Sequence, residues 1–368
     1  MWITMYNKDE QEKLLSQIQA KQETKHLHGL DILIKHIPDY DIDGDLDPRV
    51  KKTIESMPQN ENQDDAEEVP IDLIRTLMGY DNFDISKGVE TKDKTIIGRN
   101  GDIPLKIYST KTSTAMPVMV FIHGGAFFGG STKAVENACK YLSEQINGVV
   151  VSVDYRLCPE DKFPKGVHDC YDTIKWVYNN SEDLNIDKYT LGVAGDSAGG
   201  NFSAVCSIMD RDLKNNMIKF QALIYPGVNL SDKAIEDYNF DLSLYNIKHN
   251  HDLIKSTILA LKQLPPVHQL YLEEGESREN PMVSPLWEED LSGLAPALIV
   301  TAEYDSLRLE AESYARKLIR HGVDVQMIQY NGMDHAFMDK LGIYPQAQDL
   351  MDEVAKSFLG LTINEKLQ

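Results

Sequence analysis

The chain has 368 residues, 42% hydrophobic and 26% charged, which gives ample apolar material for a large core and excludes a disordered chain. A formal charge of −21 repels nucleic-acid phosphates and anionic membrane surfaces, so nucleic acid is not expected as a partner. No run reaches the ~18 apolar residues of a membrane span, the first residues lack the basic and apolar regions of a secretory signal, and a cytoplasmic location is expected.

Residues 1–90 are rich in Lys, Glu, Gln and Asp and carry helical periodicity in EQEKLLSQIQAK and VPIDLIRTLMGY; no sheet is expected there. Within them, Asp39, Asp41, Asp43, Gly44, Asp45 and Asp47 mimic the start of an EF-hand loop. The twelfth position is Val50, where such a loop needs a bidentate glutamate, so a polar connection without metal is expected. KTIIGRNGDIPLKIYS then alternates about Asn100-Gly101, a hairpin signal at which the sheet is expected to begin. Short apolar runs follow at 117–122, 148–155, 189–195, 220–226, 296–302 and 324–330, with helical stretches between them. That alternation predicts a mostly parallel sheet with helices on both faces, a doubly wound α/β fold. The interval from Tyr225 to Pro296 is longer than one crossover needs. Residues 229–277 are therefore read as an inserted helical segment which, with residues 1–90, caps a core of 91–228 and 278–368. Cys139, Cys158, Cys170 and Cys206 form no CxxC pair and are read as reduced, buried thiols.

The stretch YTLGVAGDSAGGNFSAV, residues 189–205, runs a strand into Gly195-Asp196-Ser197-Ala198-Gly199 and then into a helix. A GxSxG in that context is a nucleophile elbow. Its glycines let the backbone bend tightly and lift the serine hydroxyl at a helix N-terminus, where N–H groups and the helix dipole favour negative charge. Such a hydroxyl needs a base, and the base needs an acid to hold its tautomer. Asp305 lies just beyond the run ending at 302 and His335 just beyond the run ending at 330, which brings both to the sheet edge that carries Ser197. Glu303 and Asp334 are rival acids; Glu303 precedes the turn and Asp334 adjoins the base, so Asp305 is favoured. The glycines of FIHGGAFFGG let main-chain N–H groups approach a substrate, and Gly124, Gly125 and Ala126, joined by Ala198, are expected as oxyanion donors.

HGGAF, VSVDYRLCPEDKFPKGVHDCYDTIKWV, GDSAGGN, SPL, PALIVTAEYDSLR and YNGMDHAF, in this order over about residues 115 to 340, resemble the hormone-sensitive-lipase-like, GDSAG-type family of α/β-hydrolases. The resemblance implies a cytosolic carboxylesterase with a helical cap, acting on a small-molecule ester with no cofactor and no metal. It makes Ser197 the nucleophile, Asp305 the acid and His335 the base, gives His123 and Asp196 supporting places in their motifs, and makes Tyr155, Arg156 and Glu160 structural. Two positions depart from the pattern: Ala126 stands where HGGG has its third glycine, and Ala336 where a glycine usually follows the histidine. A deacetylase or amidase would use the same triad, and a non-catalytic receptor on this scaffold would lack one of its members. Phe127, Phe128 and aromatics near Tyr238 and Tyr245 either line the acyl pocket or form the core of the cap. A homo-oligomer is compatible with the sequence.

Overall fold

The computed structural model describes residues 7–56, 70–112, 114–235 and 237–365. Residues 1–6 and 57–69 of the expected N-terminal cap lie outside these. Helix α1 (Lys8–Lys21) begins where the Asn7 side chain accepts the Glu10 N–H at 2.9 Å, with Asp9 and Glu10 in the first turn, both favourable at a helix N-terminus. Strands β1 (Glu23–Leu27) and β2 (Leu30–Lys35) then pair antiparallel about His28-Gly29, whose φ values of 51° and 77° suit a two-residue hairpin. Residues 32–35 of β2 also pair in parallel with residues 327–330. The expectation of no sheet before residue 90 is thus overturned, because Leu30, Ile32 and Ile34 alternate onto a buried face and extend the central sheet.

Helices α2 (Pro48–Ser56) and α3 (Ile71–Leu77) precede the hairpin of β3 (Glu90–Gly98) and β4 (Gly101–Ser109). Gly98 faces Gly101 across that hairpin, which puts the turn at Arg99-Asn100, one residue earlier than expected. The alternation continues with β5 (Met116–Ile122), α4 (Glu136–Gln145), β6 (Val149–Val153), α5 (Lys165–Asn179), α6 (Ser181–Leu184), β7 (Ile186–Asp196), α7 (Ala198–Asp212) and β8 (Phe220–Ile224). Two short helices, α8 (His251–Leu259) and α9 (Val267–Tyr271), occupy the long interval before β9 (Ala297–Ala302), α10 (Arg308–Arg320), β10 (Val325–Tyr330) and α11 (Pro345–Glu365).

Among the described residues ten strands form one sheet in the order β1-β2-β10-β9-β8-β7-β5-β6-β4-β3. It is parallel from β2 to β6 and antiparallel at both margins. Met119 and Phe121 of β5 point into a core shared with α4 and α11, whereas Val118, Val120 and Ile122 point into one shared with α5 and α7. The doubly wound expectation is borne out. No helix among the described residues is long and apolar enough to cross a membrane, and all four cysteines are buried and free.

The aspartate-rich loop stitches the N-terminal part to the rest of the chain. Asp39 pairs with Arg49 at 2.6 Å and Asp41 with Lys21 at 2.6 Å, while Asp43 takes Asn246 at 2.8 Å together with the Lys248 ammonium. Asp45 accepts from Tyr40 at 2.9 Å and Asn250 at 2.6 Å, and Asp47 from Gln346 at 2.7 Å. Asp39 and Asp47 share Arg49, and the other three carboxylates turn to separate partners.

Candidate active site

Ser197 joins β7 to α7 with φ 54° and ψ −115°. A backbone held in such a region costs about 1–3 kcal/mol and persists only where its surroundings over-determine it. Here its N–H donates to the Ile224 carbonyl at 2.9 Å, and its own carbonyl accepts from the N–H groups of Asn201 at 3.1 Å and Gly227 at 3.2 Å. The flanking glycines are required by contact. A Cβ on Gly195 would stand 2.3 Å from the Gly199 carbonyl oxygen, and one on Gly199 only 1.9 Å from that of Ile122. The Asn201 amide, one turn into α7, bridges the carbonyls of Gly227 at 2.7 Å and Val283 at 3.0 Å and fixes the chain behind the elbow.

β9 and β10 end side by side, and the turns that follow them bring Asp305 and His335 to Ser197. His335 Nδ1 lies 2.6 Å from Asp305 Oδ2, and Nε2 lies 2.9 Å from Ser197 Oγ. With Nδ1–H donating to the carboxylate, the lone pair of Nε2 is left facing the hydroxyl. Asp305 is itself held: Oδ1 accepts the Leu307 N–H at 2.9 Å, and its carbonyl accepts the Tyr245 hydroxyl at 2.8 Å. Tyr225 meets the imidazole edge-on at 4.9 Å between centroids. Burial pulls the His335 imidazole down, but the charge and hydrogen bond of Asp305, with Asp196 and Asp334 behind, override it and hold the group above its ordinary 6.5.

Neither rival acid takes the place of Asp305. Glu303 Oε2 accepts the Gly332 N–H at 2.8 Å and so anchors the loop leading to His335; burial pushes this carboxyl up to about 7. Asp334 is also raised by burial to about 6, and the hydrogen-bond partner of Nδ1 is Asp305.

One expected oxyanion donor is already occupied. β5 and β7 are neighbours, with Ile122 opposite Gly195, so Asp196 at the end of β7 meets the turn that follows β5. Its Oδ1 accepts the Gly124 N–H at 2.8 Å, which corrects the expectation that Gly124 donates to a substrate. Burial raises Asp196 to about 6 against the pull of that hydrogen bond. His123 is buried, stacked on Tyr155 at 4.2 Å, and lowered in proton affinity by desolvation; its Nδ1 lies 2.8 Å from the Gly124 carbonyl.

Beyond Gly124 the chain stays in the left-handed region, with φ 125° at Gly125, 51° at Ala126 and 67° at Phe127. Glycine enters that region freely and a Cβ makes it strained, so Ala126 carries strain that a third glycine would not. Ala336, at φ 63°, does the same beside His335. Among the described residues the N–H groups of Gly125, Ala126 and Ala198 make no hydrogen bond.

A cavity of about 420 Å³ opens over Ser197, with Ala126, Phe127 and Ala198 in its wall. The segment 261–268 lines it with Leu261, Leu264, Pro265, Pro266 and Val267, and Leu307 and Glu310 also contribute to its wall. The aromatics divide. Phe127 lines this cavity and stacks on Tyr271 at 4.3 Å, whereas Phe128 is buried in the core. Tyr238 lines a separate cavity with His28 and Arg316, and Tyr245 is buried against Asp305. The bond from Tyr245 to Asp305 has no signal in the sequence, because the two residues lie 60 positions apart.

Residues 119–339 match the family described as alpha/beta hydrolase fold. The chain is similar to an arylesterase of Saccharolobus solfataricus, 35% identical over 68% of this chain and 77% of that protein. It is also similar to carboxylesterase NlhH of Mycobacterium tuberculosis, 30% identical over 83% of this chain and 92% of the relative. Among solved structures it resembles a hyperthermophilic esterase from the archaeon Pyrobaculum calidifontis, with 33% identity, a TM-score of 0.70, and coverage of 86% of this chain and 99% of that one.

Proposed function

We infer, from the premise that this chain belongs to the hormone-sensitive-lipase-like α/β hydrolases and is an ester hydrolase, that it is a serine carboxylesterase for small esters of short to medium acyl chain. Ser197 is its nucleophile, His335 its base and Asp305 its acid. The observation that carries these roles is the unbroken line from the Asp305 carboxylate through His335 to the Ser197 hydroxyl, at 2.6 and 2.9 Å.

In the first half-reaction His335 Nε2 takes the Ser197 proton as Oγ attacks the ester carbonyl, and Asp305 stabilises the imidazolium. The N–H groups of Gly125, Ala126 and Ala198, unspent in the free protein, receive the oxyanion. His335 then returns the proton to the departing alcohol oxygen. In the second half-reaction a water, deprotonated by the same nitrogen, attacks the acyl carbonyl; the bond to Ser197 Oγ breaks, His335 returns the proton to that oxygen, and the acid is released. The segment 229–277, with α3, serves as the cap, while β1 and β2 belong to the sheet.

The cavity volume of about 420 Å³ supports a small ester over a long acyl chain. A deacetylase or amidase needs the same triad, but the relatives named for ester hydrolysis do not favour it; a binding-only receptor has no use for the hydrogen-bonded line. The test is a series of p-nitrophenyl esters from acetate to palmitate. Rates should peak between acetate and hexanoate, and a maximum at the longest chains would contradict the assigned acyl size.

A further inference from the structure

Two consecutive residues of the oxyanion loop, Ala126 and Phe127, hold left-handed backbone although both carry a Cβ. Such a turn keeps its shape only if its neighbours grip it. Inside the loop, the N–H groups of Phe128 and Gly129 both donate to the Gly125 carbonyl, at 3.1 and 2.8 Å. From outside, the Phe127 carbonyl accepts the Cys158 N–H at 3.1 Å. The next carbonyl, that of Phe128, accepts from a side chain far away in sequence: Arg75 Nε of α3, at 2.6 Å.

The rest of the guanidinium is equally committed. Its Nη2 donates to the Cys158 carbonyl at 2.9 Å and to Glu160 at 2.6 Å, and its Nη1 to Glu160 at 2.9 Å and Asp72 at 3.1 Å. One planar group therefore spans the oxyanion loop and the 158–160 turn whose own N–H holds Phe127. Met78, at the end of α3, lies so close to Gly129 that a Cβ there would stand 2.2 Å from its sulfur. The chain after α3 also touches the segment that follows His335: the Phe83 N–H donates to the Leu341 carbonyl at 3.0 Å, and Lys340 lies over the Tyr80 ring at 3.2 Å.

We propose that Arg75 is a positioning residue for the ester hydrolysis, holding the Phe128 carbonyl so that the Gly125 and Ala126 N–H groups stay aimed at the tetrahedral oxygen. The proposal rests on the Ser197 reading given above. Arg75 touches neither substrate nor the reacting atoms, so its loss acts on the transition state through the loop. A lysine can keep a charge beside Glu160, but a single ammonium cannot reproduce the fork that reaches both carbonyls and the carboxylate. Displacement of one oxyanion donor costs about 100- to 1,000-fold and a misplacement of about 1 Å about 100-fold.

The experiment compares wild type, Arg75→Ala, Arg75→Lys, Asp72→Ala and Ser197→Ala on p-nitrophenyl acetate, with a melting curve for each. Both Arg75 variants should lose at least about tenfold in kcat with KM within about threefold. The acidic limb of the pH profile, set by His335, should stay in place, and a phenylboronic acid that forms a tetrahedral adduct on Ser197 should bind correspondingly more weakly. Asp72→Ala should keep the wild-type rate. If Arg75→Ala fails to fold, Arg75→Lys decides. A folded Arg75→Lys with wild-type kcat and wild-type boronic acid affinity would overturn the proposal while Ser197→Ala remains inactive. Full activity in Ser197→Ala would instead remove the reading on which the proposal stands.

Discussion

At His335 the position of one carboxylate decides both the tautomer and the proton affinity of the base. Asp305, with its oxygen 2.6 Å from Nδ1, outweighs the burial that would lower the imidazole and leaves it above 6.5. Since the base works only when neutral, kcat/KM should be lost as pH falls, with the midpoint of its acidic limb above pH 6.5. Asp305→Asn removes the charge and presents the wrong partner to Nδ1, so kcat should drop about 10,000-fold, and the residual limb should move to lower pH; steady-state profiles of the two proteins check both. That Ser197, Asp305 and His335 meet was legible in the sequence, because each follows an apolar run that ends at one sheet edge. The fate of the Gly124 N–H was not, because it depends on β5 lying beside β7 and bringing Asp196 against it.

The hairpin of β1 and β2 shows how an element escapes a periodic reading. LDILIK alternates over only six residues, and its turn is His28-Gly29 instead of the Asn-Gly or Asp-Gly of familiar hairpins, although both residues take the required positive φ. Helical stretches on either side dominated the composition, and the pairing that defines β2 is with β10, about 300 residues later. Once in place the strand carries a fully buried Lys35, whose ammonium lies 2.7 Å from Glu353 and 3.2 Å from Asp349 of α11. Removing one partner of a buried ionic cluster leaves the others uncompensated, which costs about 3–5 kcal/mol. Lys35→Ala should therefore lower the unfolding free energy measured by urea titration by an amount of that order. A change below about 1 kcal/mol would mean that the hairpin adds little to the stability of the sheet.

Across the whole molecule the acidic composition was plain from the sequence, but which carboxyls end up in the interior was not. Burial raises Glu303 to about 7, and Glu310 and Asp339 to about 8. In the unfolded chain these groups ionise near 4, so between pH 6.5 and 8 the native state binds more protons than the unfolded one, and stability falls as pH rises through that window. Melting temperature should drop by a few degrees from pH 6.5 to pH 8, and a flat or rising trend would contradict these burials. The α/β architecture follows from the alternation of apolar runs and helices. The proposed acyl size rests on a cavity lined in part by residues 261–268, a stretch with no motif of its own. The proposed function rests on one hydroxyl, and the most direct measurement is hydrolysis of p-nitrophenyl acetate by wild type and Ser197→Ala, with a fluorophosphonate probe mapped by peptide mass. Ester turnover that falls at least about 10,000-fold in the variant, with the probe on Ser197 alone, is the expected result. Wild-type turnover in a folded Ser197→Ala, or labelling at another residue, would contradict it.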